Sequence, residues 1–462
     1  MSQPVWSARD AAEAVNGRLT DGGWSATGVS IDTRTLQPGD LFVALTDRRD
    51  GHEFAQSALD AGASAVLVSK PDCASGPRLV VDDVLTALRD LGEAARRRCD
   101  ALRIGVTGSV GKTTVKEALA AVCRAAGNAH WSEKSYNNHW GVPLTLSRMS
   151  ADTQLGVFEM GMNHAGEISD LVSMVRPHIA MITKIAPAHL ENLGSMEAIA
   201  DAKSEIFEGL MPDGVAIIPA DDEFAPRLSA AVQRSRAGFL LEFGRSSRAA
   251  VRVERYEAGP DGGAGTMNVM GRSFDFRLRL PGDHHANNAA AIVAAAFAAG
   301  IEPDLALDAL SKIEAGDGRG ATFATQLSGC QLTVIDESYN ANPDSMRAAL
   351  SSLKARAVRG GGRRVAILGE MLELGTDSAA LHAGLAGDVL ATEARLIYTV
   401  GHGAHALADA LDGQVEVHAF ATPDEAIAAY QDRVKDGDVL LVKGSNGSGV
   451  HKIASTLKQV SL

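Results

Sequence analysis

The sequence predicts an α/β protein of three domains, and three observations support this prediction. Its 462 residues are enough for about three domains of roughly 150 residues each. Short apolar runs, typical of buried strands, alternate with segments of helical spacing along most of the chain. One of these runs leads directly into a glycine-rich segment that opens a helix, which is how a phosphate-binding loop is arranged.

The composition excludes several classes of partner. The formal net charge is −13 and aromatic residues make up 5% of the chain, so neither a basic surface nor stacking platforms for nucleic acid are expected. The longest apolar run, residues 289–299, is shorter than the ~20 residues that cross a bilayer. Residues 1–14 lack the basic segment and apolar core of a signal peptide. We therefore expect a cytoplasmic protein without nucleic-acid partners or membrane insertion, with a monomer as the default.

The four cysteines follow no metal-binding pattern. None belongs to a Cys-x-x-Cys pair, so no zinc site of that type is predicted, and reduced thiols of a cytosolic protein are expected. As small apolar residues they fit the interior of the protein without further function. They are Cys73, Cys99, Cys123 and Cys330.

Residues 1–100 are expected to form a small α/β domain. The run at 28–34 alternates apolar and polar residues, and the runs at 40–45 and 65–68 are apolar, which predicts three strands. A helix is predicted near residues 54–61.

Residues 101–315 are expected to form a central domain around the glycine-rich loop, in which 106–114 read Val-Thr-Gly-Ser-Val-Gly-Lys-Thr-Thr. Glycines let backbone N–H groups point at phosphate oxygens, the lysine adds a cation, and the threonine hydroxyl is a ligand for Mg²⁺. Val106 stands where the usual P-loop has its first glycine, which disfavours ordinary kinases and GTPases. A plain glycine turn is the alternative. The predicted nucleotide-binding residues are Thr107, Gly108, Ser109, Gly111, Lys112, Thr113 and Thr114.

The rest of the central domain is predicted to be a mostly parallel sheet covered by helices. Apolar runs at 157–158, 179–185 and 215–218 are each followed by helical spacing. The glycine-rich residues 259–265 are expected to form a hairpin or loop inside this domain.

Polar residues gather after these strands, where ligands of open α/β sheets usually bind. Glu159 directly follows an apolar run, which favours a carboxylate aimed at the phosphate loop as an Mg²⁺ ligand, a solvated strand end being the alternative. His189, taken alone, fits a structural histidine. Lys203, taken alone, fits a solvent-facing helix residue near Glu205 and Glu208.

Residues 316–462 are expected to form a second doubly wound unit of the Rossmann type. Apolar runs at 333–335, 365–368, 396–400 and 439–442 alternate with helices rich in alanine and leucine. Two of the predicted helices span residues 345–353 and 379–390.

Several segments, in order along the chain, resemble the Mur ligase family. The resemblance implies ATP-driven amide bond formation in the peptide stem of bacterial cell-wall precursors. It also implies an N-terminal domain for the UDP-sugar, a central ATPase domain and a Rossmann-like C-terminal domain. The matching segments are residues 107–114, 136–143, 159–161, 188–191, 203–207 and 336–343.

The last domain indicates which members of the family are most similar. Residues 369–375, followed by Ser378 and His382, resemble the ligases that add D-alanyl-D-alanine to UDP-N-acetylmuramoyl-tripeptide. The alternative within the family is the addition of diaminopimelate to the UDP-dipeptide, and the Asp-Asn-Pro-Arg motif of many such ligases is absent. A folylpolyglutamate-type ligase and a nucleotide-binding protein without catalysis are the alternatives outside it.

The resemblance also implies the cofactors and the catalytic residues. ATP and Mg²⁺ are implied, with one Mg²⁺ among Thr113, Glu159 and the phosphates and a second near His189. Lys203 is implied to be carbamylated by CO2, which turns a cation into an anion with two oxygens for Mg²⁺. Lys112, His189 and Lys203 are the implied catalytic residues.

Further contacts are implied for the nucleotide and for the substrate. Asn288 corresponds to an adenine contact, Arg319 to a phosphate contact, and Tyr339 to a residue that lies against the adenine. Asp336 fits an acceptor for a ribose hydroxyl, a turn-forming aspartate being the alternative. Because contacts come from two domains, closure about a hinge near residues 314–318 is expected. The implied substrate-binding residues are Ser30, Asp32, Arg34, Asn137 and Asn138.

Overall fold

A computed structural model describes residues 4–459. Residues 1–3 and 460–462, which belong to the predicted first and third domains, lie outside the described range. Three sheets of five, nine and six strands follow one another along the chain, beside a small two-stranded sheet. The expected α/β class with three domains is confirmed, and no helix among the described residues is long and apolar enough to cross a membrane.

The first sheet has the strand order β2-β7-β6-β5-β4, with parallel pairing from β4 to β7 and β2 antiparallel at one edge. The predicted strand at 28–34 ends at Ser30, because Asp32 turns the chain by accepting a hydrogen bond from the backbone N–H of Arg34. The strands are β1 Trp6–Ser7, β2 Arg18–Leu19, β3 Ser25–Ala26, β4 Gly28–Ser30, β5 Asp40–Val43, β6 Ala65–Val68 and β7 Arg78–Val80. The α-helices are α1 Ala8–Val15, α2 Ala55–Asp60 and α3 Val84–Arg97.

The second sheet has the order β16-β15-β14-β13-β12-β11-β8-β10-β9. Strands β8 to β13 pair in parallel, as expected, and the antiparallel strands β14 to β16 extend one edge. The glycine-rich residues 259–265 include the hairpin turn between β14 and β15, which confirms the expected hairpin. The strands are β8 Leu102–Thr107, β9 Ala129–Trp131, β10 Leu155–Glu159, β11 Ile179–Ile182, β12 Gly214–Pro219, β13 Ala237–Gly244, β14 Val251–Gly259, β15 Gly262–Val269 and β16 Arg272–Leu278.

Helices cover both faces of the second sheet, and each face has its own cluster of buried apolar side chains. Val157 and Ile179 belong to one cluster, and the residues that follow them along their strands, Phe158 and Ala180, belong to the other, as the alternation of side chains along strands requires. The helices are α4 Lys112–Ala126, α5 Gly141–Ser147, α6 Glu167–Val175, α7 Leu190–Leu193, α8 Met196–Ser204, α9 Ala225–Gln233, α10 His284–Ala298 and α11 Pro303–Leu310.

The third sheet has the order β17-β18-β22-β19-β20-β21, parallel except for the antiparallel β17. The single helix predicted over 379–390 is instead two short helices that meet near Gly384. The strands are β17 Ala321–Leu327, β18 Cys330–Glu337, β19 Arg364–Gly369, β20 Leu396–Val400, β21 Glu416–Phe420 and β22 Asp438–Lys443. The helices are α12 Pro343–Ala355, α13 Ser378–Ala383, α14 Ala386–Ala391, α15 His405–Leu411, α16 Pro423–Gln431 and α17 His451–Gln459. Short 3-10 helices span Gly51–Phe54, Pro71–Cys73, Glu205–Phe207, Gly375–Asp377, His402–Ala404 and Asn446–Ser448.

The central domain contacts the first domain through apolar packing and a hydrogen bond, and its contacts with the third domain include ion pairs. Leu144 of α5 is buried in the apolar core of the first domain, and the indole N–H of Trp6 donates a hydrogen bond of 2.8 Å to the carbonyl of Ser147. The third domain has apolar clusters of its own. Its contacts with the central domain include ion pairs, among them Lys184 Nζ to Asp344 Oδ2 at 2.5 Å.

Candidate active site

The glycine-rich loop connects the end of β8 to the start of α4. Gly108 and Gly111 have φ angles of +149° and +84°, which side chains disfavour. A Cβ atom at Gly108 would lie 2.0 Å from Thr183 Oγ1, so only glycine fits there. The Nζ atom of Lys112 donates a hydrogen bond of 2.7 Å to the carbonyl of Gly108, folded over the loop. Desolvation lowers the pKa of Lys112, and the charge of Glu159 opposes that shift.

Glu159 lies at the end of β10 with its side chain 1% exposed. Its Oε1 accepts hydrogen bonds from Thr113 Oγ1 at 3.1 Å and from Asn137 Nδ2 at 2.7 Å, whereas Oε2 is buried without a partner among the described residues. A buried carboxylate oxygen without a donor is unfavourable unless a cation compensates it. The alternative of a solvated strand end is therefore wrong.

The donor set at this point fits Mg²⁺. This cation is usually held by one or two carboxylates together with phosphate and water oxygens. Among residues 4–459 there is no group of three or more His, Cys, Asp and Glu side chains that would form a complete protein cage for a metal. A single carboxylate beside a threonine hydroxyl and a phosphate loop is a donor set that the phosphate oxygens of a nucleotide would complete.

Lys203, at the end of α8, is 1% exposed, so the solvent-facing alternative is wrong. Burial lowers its pKa well below the ordinary value, and the nearby charge of Lys112 lowers it further. Within residues 4–459, no hydrogen bond or ion pair at Lys203 Nζ compensates this burial. The sequence pattern around Lys203 missed this, because a helix with glutamates nearby looks the same whichever way its lysine points.

His189 immediately precedes α7 and meets a residue of the third domain. Its Nδ1 lies 2.5 Å from Glu373 Oε2, at an angle that does not make a hydrogen bond, so the contact is an ion pair when the ring is protonated. The contact with His189 lowers the pKa of Glu373. Both residues have a positive φ, 58° and 64°, which is uncommon outside glycine. Sequence reasoning missed Glu373, although it lies inside the segment 369–375.

The third domain also contributes Arg319 and Tyr339. The Arg319 guanidinium lies 3.8 Å from the centre of the Tyr339 ring, a cation–π geometry. The Tyr339 hydroxyl is 2.5 Å from Ser135 Oγ of the central domain. Tyr339 thus bridges two domains. Asp336 accepts hydrogen bonds from the backbone N–H groups of Gly318 and Ser338, which are the contacts of the turn-forming alternative.

The residues expected to bind substrate lie in two places. Ser30 ends β4, and Asp32 and Arg34 lie in the turn that follows, where Arg34 Nη2 donates to Asp32 Oδ2 at 2.6 Å. Asn137 contacts Glu159, as described above. Asn138 Oδ1 accepts a hydrogen bond of 2.9 Å from the backbone N–H of Gly141, at the start of α5. Asn138 therefore satisfies the first N–H group of α5 from two residues before the N-cap position, which Trp140 occupies.

A cavity of about 590 Å³ lies between the central and third domains. Asn288 borders it from α10, with its amide oxygen 3.2 Å from where a Cβ of Gly111 would be. Eight of the predicted residues do not line the cavity. They are Thr107, Gly108, Lys203 and Asp336, together with Ser30, Asp32, Arg34 and Asn138. The predicted residues that line it are Ser109, Gly111, Lys112, Thr113, Thr114, Asn137, Glu159, His189, Asn288, Arg319 and Tyr339.

Three family profiles match consecutive parts of the chain. The profile described as Mur ligase family, catalytic domain, matches residues 25–105. The Mur ligase middle domain matches residues 106–296, and the Mur ligase, glutamate ligase domain, matches residues 318–446.

Individual relatives match over nearly the whole length. The UDP-N-acetylmuramoyl-tripeptide–D-alanyl-D-alanine ligase of Escherichia coli (strain K12) is 35% identical over 451 residues, which cover 97% of each chain. A crystal structure of MurF from Acinetobacter baumannii is 30% identical, with a TM-score of 0.84 over 99% of each chain. The MurF ligase of Thermotoga maritima, in complex with ADP, has a TM-score of 0.77 at 23% identity and covers 94% of this chain and 97% of its own, a likeness of fold.

Proposed function

The chain belongs to the Mur ligase family, and from this membership we propose that it joins D-alanyl-D-alanine to UDP-N-acetylmuramoyl-tripeptide at the expense of ATP. Relatives that match over full length carry this activity in their names. The observation that carries the chemistry is the buried Glu159 carboxylate beside the phosphate loop, with one oxygen held by Thr113 and Asn137 and the other free. The reaction belongs to peptidoglycan precursor synthesis.

The reaction needs activation of a carboxylate. A carboxylate oxygen of the tripeptide attacks the γ-phosphorus of ATP, a new O–P bond forms, and ADP leaves, which gives an acyl phosphate. The amine nitrogen of the dipeptide then attacks the acyl carbon, a C–N bond forms, a proton leaves the nitrogen, and phosphate departs. Two anionic groups meet in the first step, so the site must supply positive charge. Lys112 and Arg319 are the side chains we assign to this task.

We assign Mg²⁺ to two points of the site, of which the first is supported by the contact between Thr113 and Glu159. Thr113 and Glu159 would hold one ion with the phosphates, and His189 with a carbamylated Lys203 would hold the second. When bound, Mg²⁺ neutralises phosphate charge and orients the oxygens. Asn137 and Thr113 orient the Glu159 carboxylate, because their hydrogen bonds to Oε1 keep it turned toward the phosphate loop.

The carbamate on Lys203 follows from the burial of its amine. Desolvation lowers the pKa of Lys203, which increases the fraction of neutral amine whose lone pair attacks CO2. The nitrogen forms a bond to carbon and loses a proton, so a buried neutral amine becomes a buried anion near Lys112. Such a change places a negative charge beside the Lys112 cation and supplies oxygen ligands.

The remaining assignments extend the proposal to both substrates. We assign Asn288, Arg319 and Tyr339 to the nucleotide that enters the cavity, with Asp336 supporting the loop beside it. We assign Ser30, Asp32 and Arg34 to the UDP-sugar and Asn137 to the peptide end. The four cysteines are free, which supports a reducing compartment, and we propose a monomer in the cytoplasm. Light scattering coupled to gel filtration tests the monomer.

Phosphate release from Mg-ATP tests the proposed function. The purified protein is offered UDP-N-acetylmuramoyl-tripeptide with and without D-alanyl-D-alanine, and in parallel the UDP-dipeptide with diaminopimelate. Release that requires both the tripeptide and the D-alanyl dipeptide is expected. Release with the second pair alone would move the activity one step earlier in the pathway. Release that needs neither pair, or folate with glutamate, would refute the assignment.

A further inference from the structure

Lys116 is a lysine of α4 that lies one turn after Lys112 and is fully buried, with 0% of its side chain exposed. All three donors of its ammonium group have acceptors. Nζ donates to the carbonyl of Ser132 at 2.6 Å and to the carbonyl of Lys134 at 2.7 Å. The third acceptor is Glu117 Oε1 at 2.5 Å. A buried charge needs such complete pairing to be tolerated, so this geometry is specific.

The two carbonyl groups belong to a segment at the edge of the central sheet, which is also held by the hydrogen bond from the N–H of Ser132 to the carbonyl of Val157 and by the ion pair of Glu133 with Arg148. Residues 132–138, which we term the bridging segment, leave β9, and β9 is the edge strand of the central sheet. Within residues 4–459, no strand lies beyond β9 to bond these carbonyl groups. Lys134 also has a φ of +50°, a conformation that non-glycine residues adopt only when their surroundings impose it. The ammonium group of Lys116 supplies that constraint from inside the domain.

The bridging segment carries contacts to two parts of the active site. Asn137 Nδ2 donates to Glu159 Oε1 at 2.7 Å, and the carbonyl of Asn137 accepts from the N–H of Gly161 at 2.8 Å. Ser135 Oγ contacts the Tyr339 hydroxyl of the third domain. A shift of the segment would therefore disturb the carboxylate at the phosphate loop and the docking of the third domain together.

We infer that Lys116 is a positioning residue, whose ammonium group holds the bridging segment so that Asn137 meets Glu159 and Ser135 meets Tyr339. Lys116 does not line the cavity, so it acts through the segment and not on a ligand. The effect on turnover rests on the proposed function, whereas the effect on the segment does not. Two readouts separate these parts.

The first readout is amide hydrogen exchange, which needs no activity. In Lys116→Met, the amides of Tyr136 and Asn137 are expected to exchange about tenfold faster or more, while the core amides of β8 and β11 keep their rates. The control is Glu117→Gln, which removes the exposed carboxylate partner and leaves both carbonyl bonds in place. It is expected to leave the exchange of the segment unchanged. Unchanged exchange in Lys116→Met would overturn the inference.

The second readout is a double-mutant cycle on kcat. Lys116→Met is expected to lower kcat about tenfold, and Ser135→Ala about threefold in the wild-type background. Once the segment is released, Ser135→Ala is expected to have no further effect, because Ser135 no longer meets Tyr339. If Lys116 only supports the fold, the two effects multiply, and that result would refute a positioning role.

Two controls keep the cycle interpretable. Lys312→Met removes an exposed lysine of the same domain, which pairs with Asp308 and makes no hydrogen bond or ion pair to the described residues of the bridging segment, and is expected to keep wild-type kcat. If Lys116→Met yields no folded protein, Lys116→Gln is measured in its place. Its side chain retains an amide donor for one of the two carbonyl groups. The same changes in amide exchange and in kcat are expected, with smaller magnitudes. A wild-type protein without ligase activity would refute the proposed function, and the exchange experiment would still decide the role of Lys116.

Discussion

Replacement of Lys203 by methionine is predicted to stabilise the protein while abolishing its activity. The side chain is 1% exposed and its amine is desolvated beside Lys112. Methionine fills a similar volume without a polar group. Replacing a buried ion pair by apolar side chains of similar volume is often neutral or stabilising by about 1–4 kcal/mol, and a buried amine without a partner carries the burial cost without the compensating attraction. Taking about 2 kcal/mol, the melting temperature of the central domain rises by roughly 4–8 °C.

The pH dependence of this difference follows from the direction of the pKa shift. The pKa of Lys203 in the folded state lies well below its ordinary value of 10.5. Between these two pKa values the unfolded chain binds a proton that the folded chain does not, so wild-type stability rises with pH. The methionine variant lacks this slope. Its advantage is therefore largest near neutral pH and is lost as pH approaches the unfolded pKa.

Scanning calorimetry of both proteins from about pH 6 to about pH 9, in buffer freed of CO2, measures these effects. Lys312→Met, which removes an exposed lysine of the same domain, is the control and is expected to change the melting temperature little. Added bicarbonate is expected to stabilise the wild type and to leave Lys203→Met unchanged. A variant less stable than the wild type, or an advantage independent of pH, would refute the account of Lys203 as a desolvated amine.

Three further predictions concern the site and the domain contacts. Glu159→Gln is expected to lower kcat about 100- to 1000-fold and to raise the Mg²⁺ concentration for half-maximal rate, with an unchanged circular dichroism spectrum; an unchanged Mg²⁺ requirement would contradict the metal assignment. Asn138→Ala is expected to lower the free energy of unfolding by about 1 kcal/mol, because the N–H of Gly141 loses its acceptor, with KM values near wild type; a large rise in the KM for the UDP-substrate would restore Asn138 as a substrate contact. Lys184→Glu is expected to lower kcat severalfold, because Lys184 and Asp344 form an ion pair between the central and third domains. The double variant Lys184→Glu with Asp344→Lys is expected to recover part of the lost kcat. A double variant with no recovery would show that this ion pair does not contribute to domain closure.

The strands were predictable from the sequence where burial leaves a continuous apolar run. The strands β8, β10 and β11 are buried on both faces, and their runs were recognised with the glycine-rich loop between β8 and α4. The antiparallel strands β14 to β16 were not separated in advance, because polar and charged residues alternate through them. The single helix predicted over 379–390 is two helices in the structure. The break was not predictable, because alanine and leucine favour a helix throughout this segment and the position of the break depends on packing.

The site was predictable only in part, because the direction in which a side chain points and the residues that it contacts depend on tertiary structure. The glycine pattern and Lys112 identified the phosphate loop directly. By contrast, the sequence did not indicate that Lys116 is buried or that Tyr339 contacts Ser135 about 200 residues earlier in the chain. Glu373 was hidden because its contact with His189 exists only when two domains meet. Motif resemblance located these segments without giving their contacts.

Transfer of an isotope from substrate to phosphate tests the central claim most directly. UDP-N-acetylmuramoyl-tripeptide labelled with ¹⁸O in its terminal carboxyl groups is incubated with the protein, Mg-ATP and D-alanyl-D-alanine, and the released phosphate is analysed by mass spectrometry. The account predicts that each phosphate carries one labelled oxygen, in step with formation of the UDP-pentapeptide. Unlabelled phosphate, or phosphate released without a new amide bond, would contradict it.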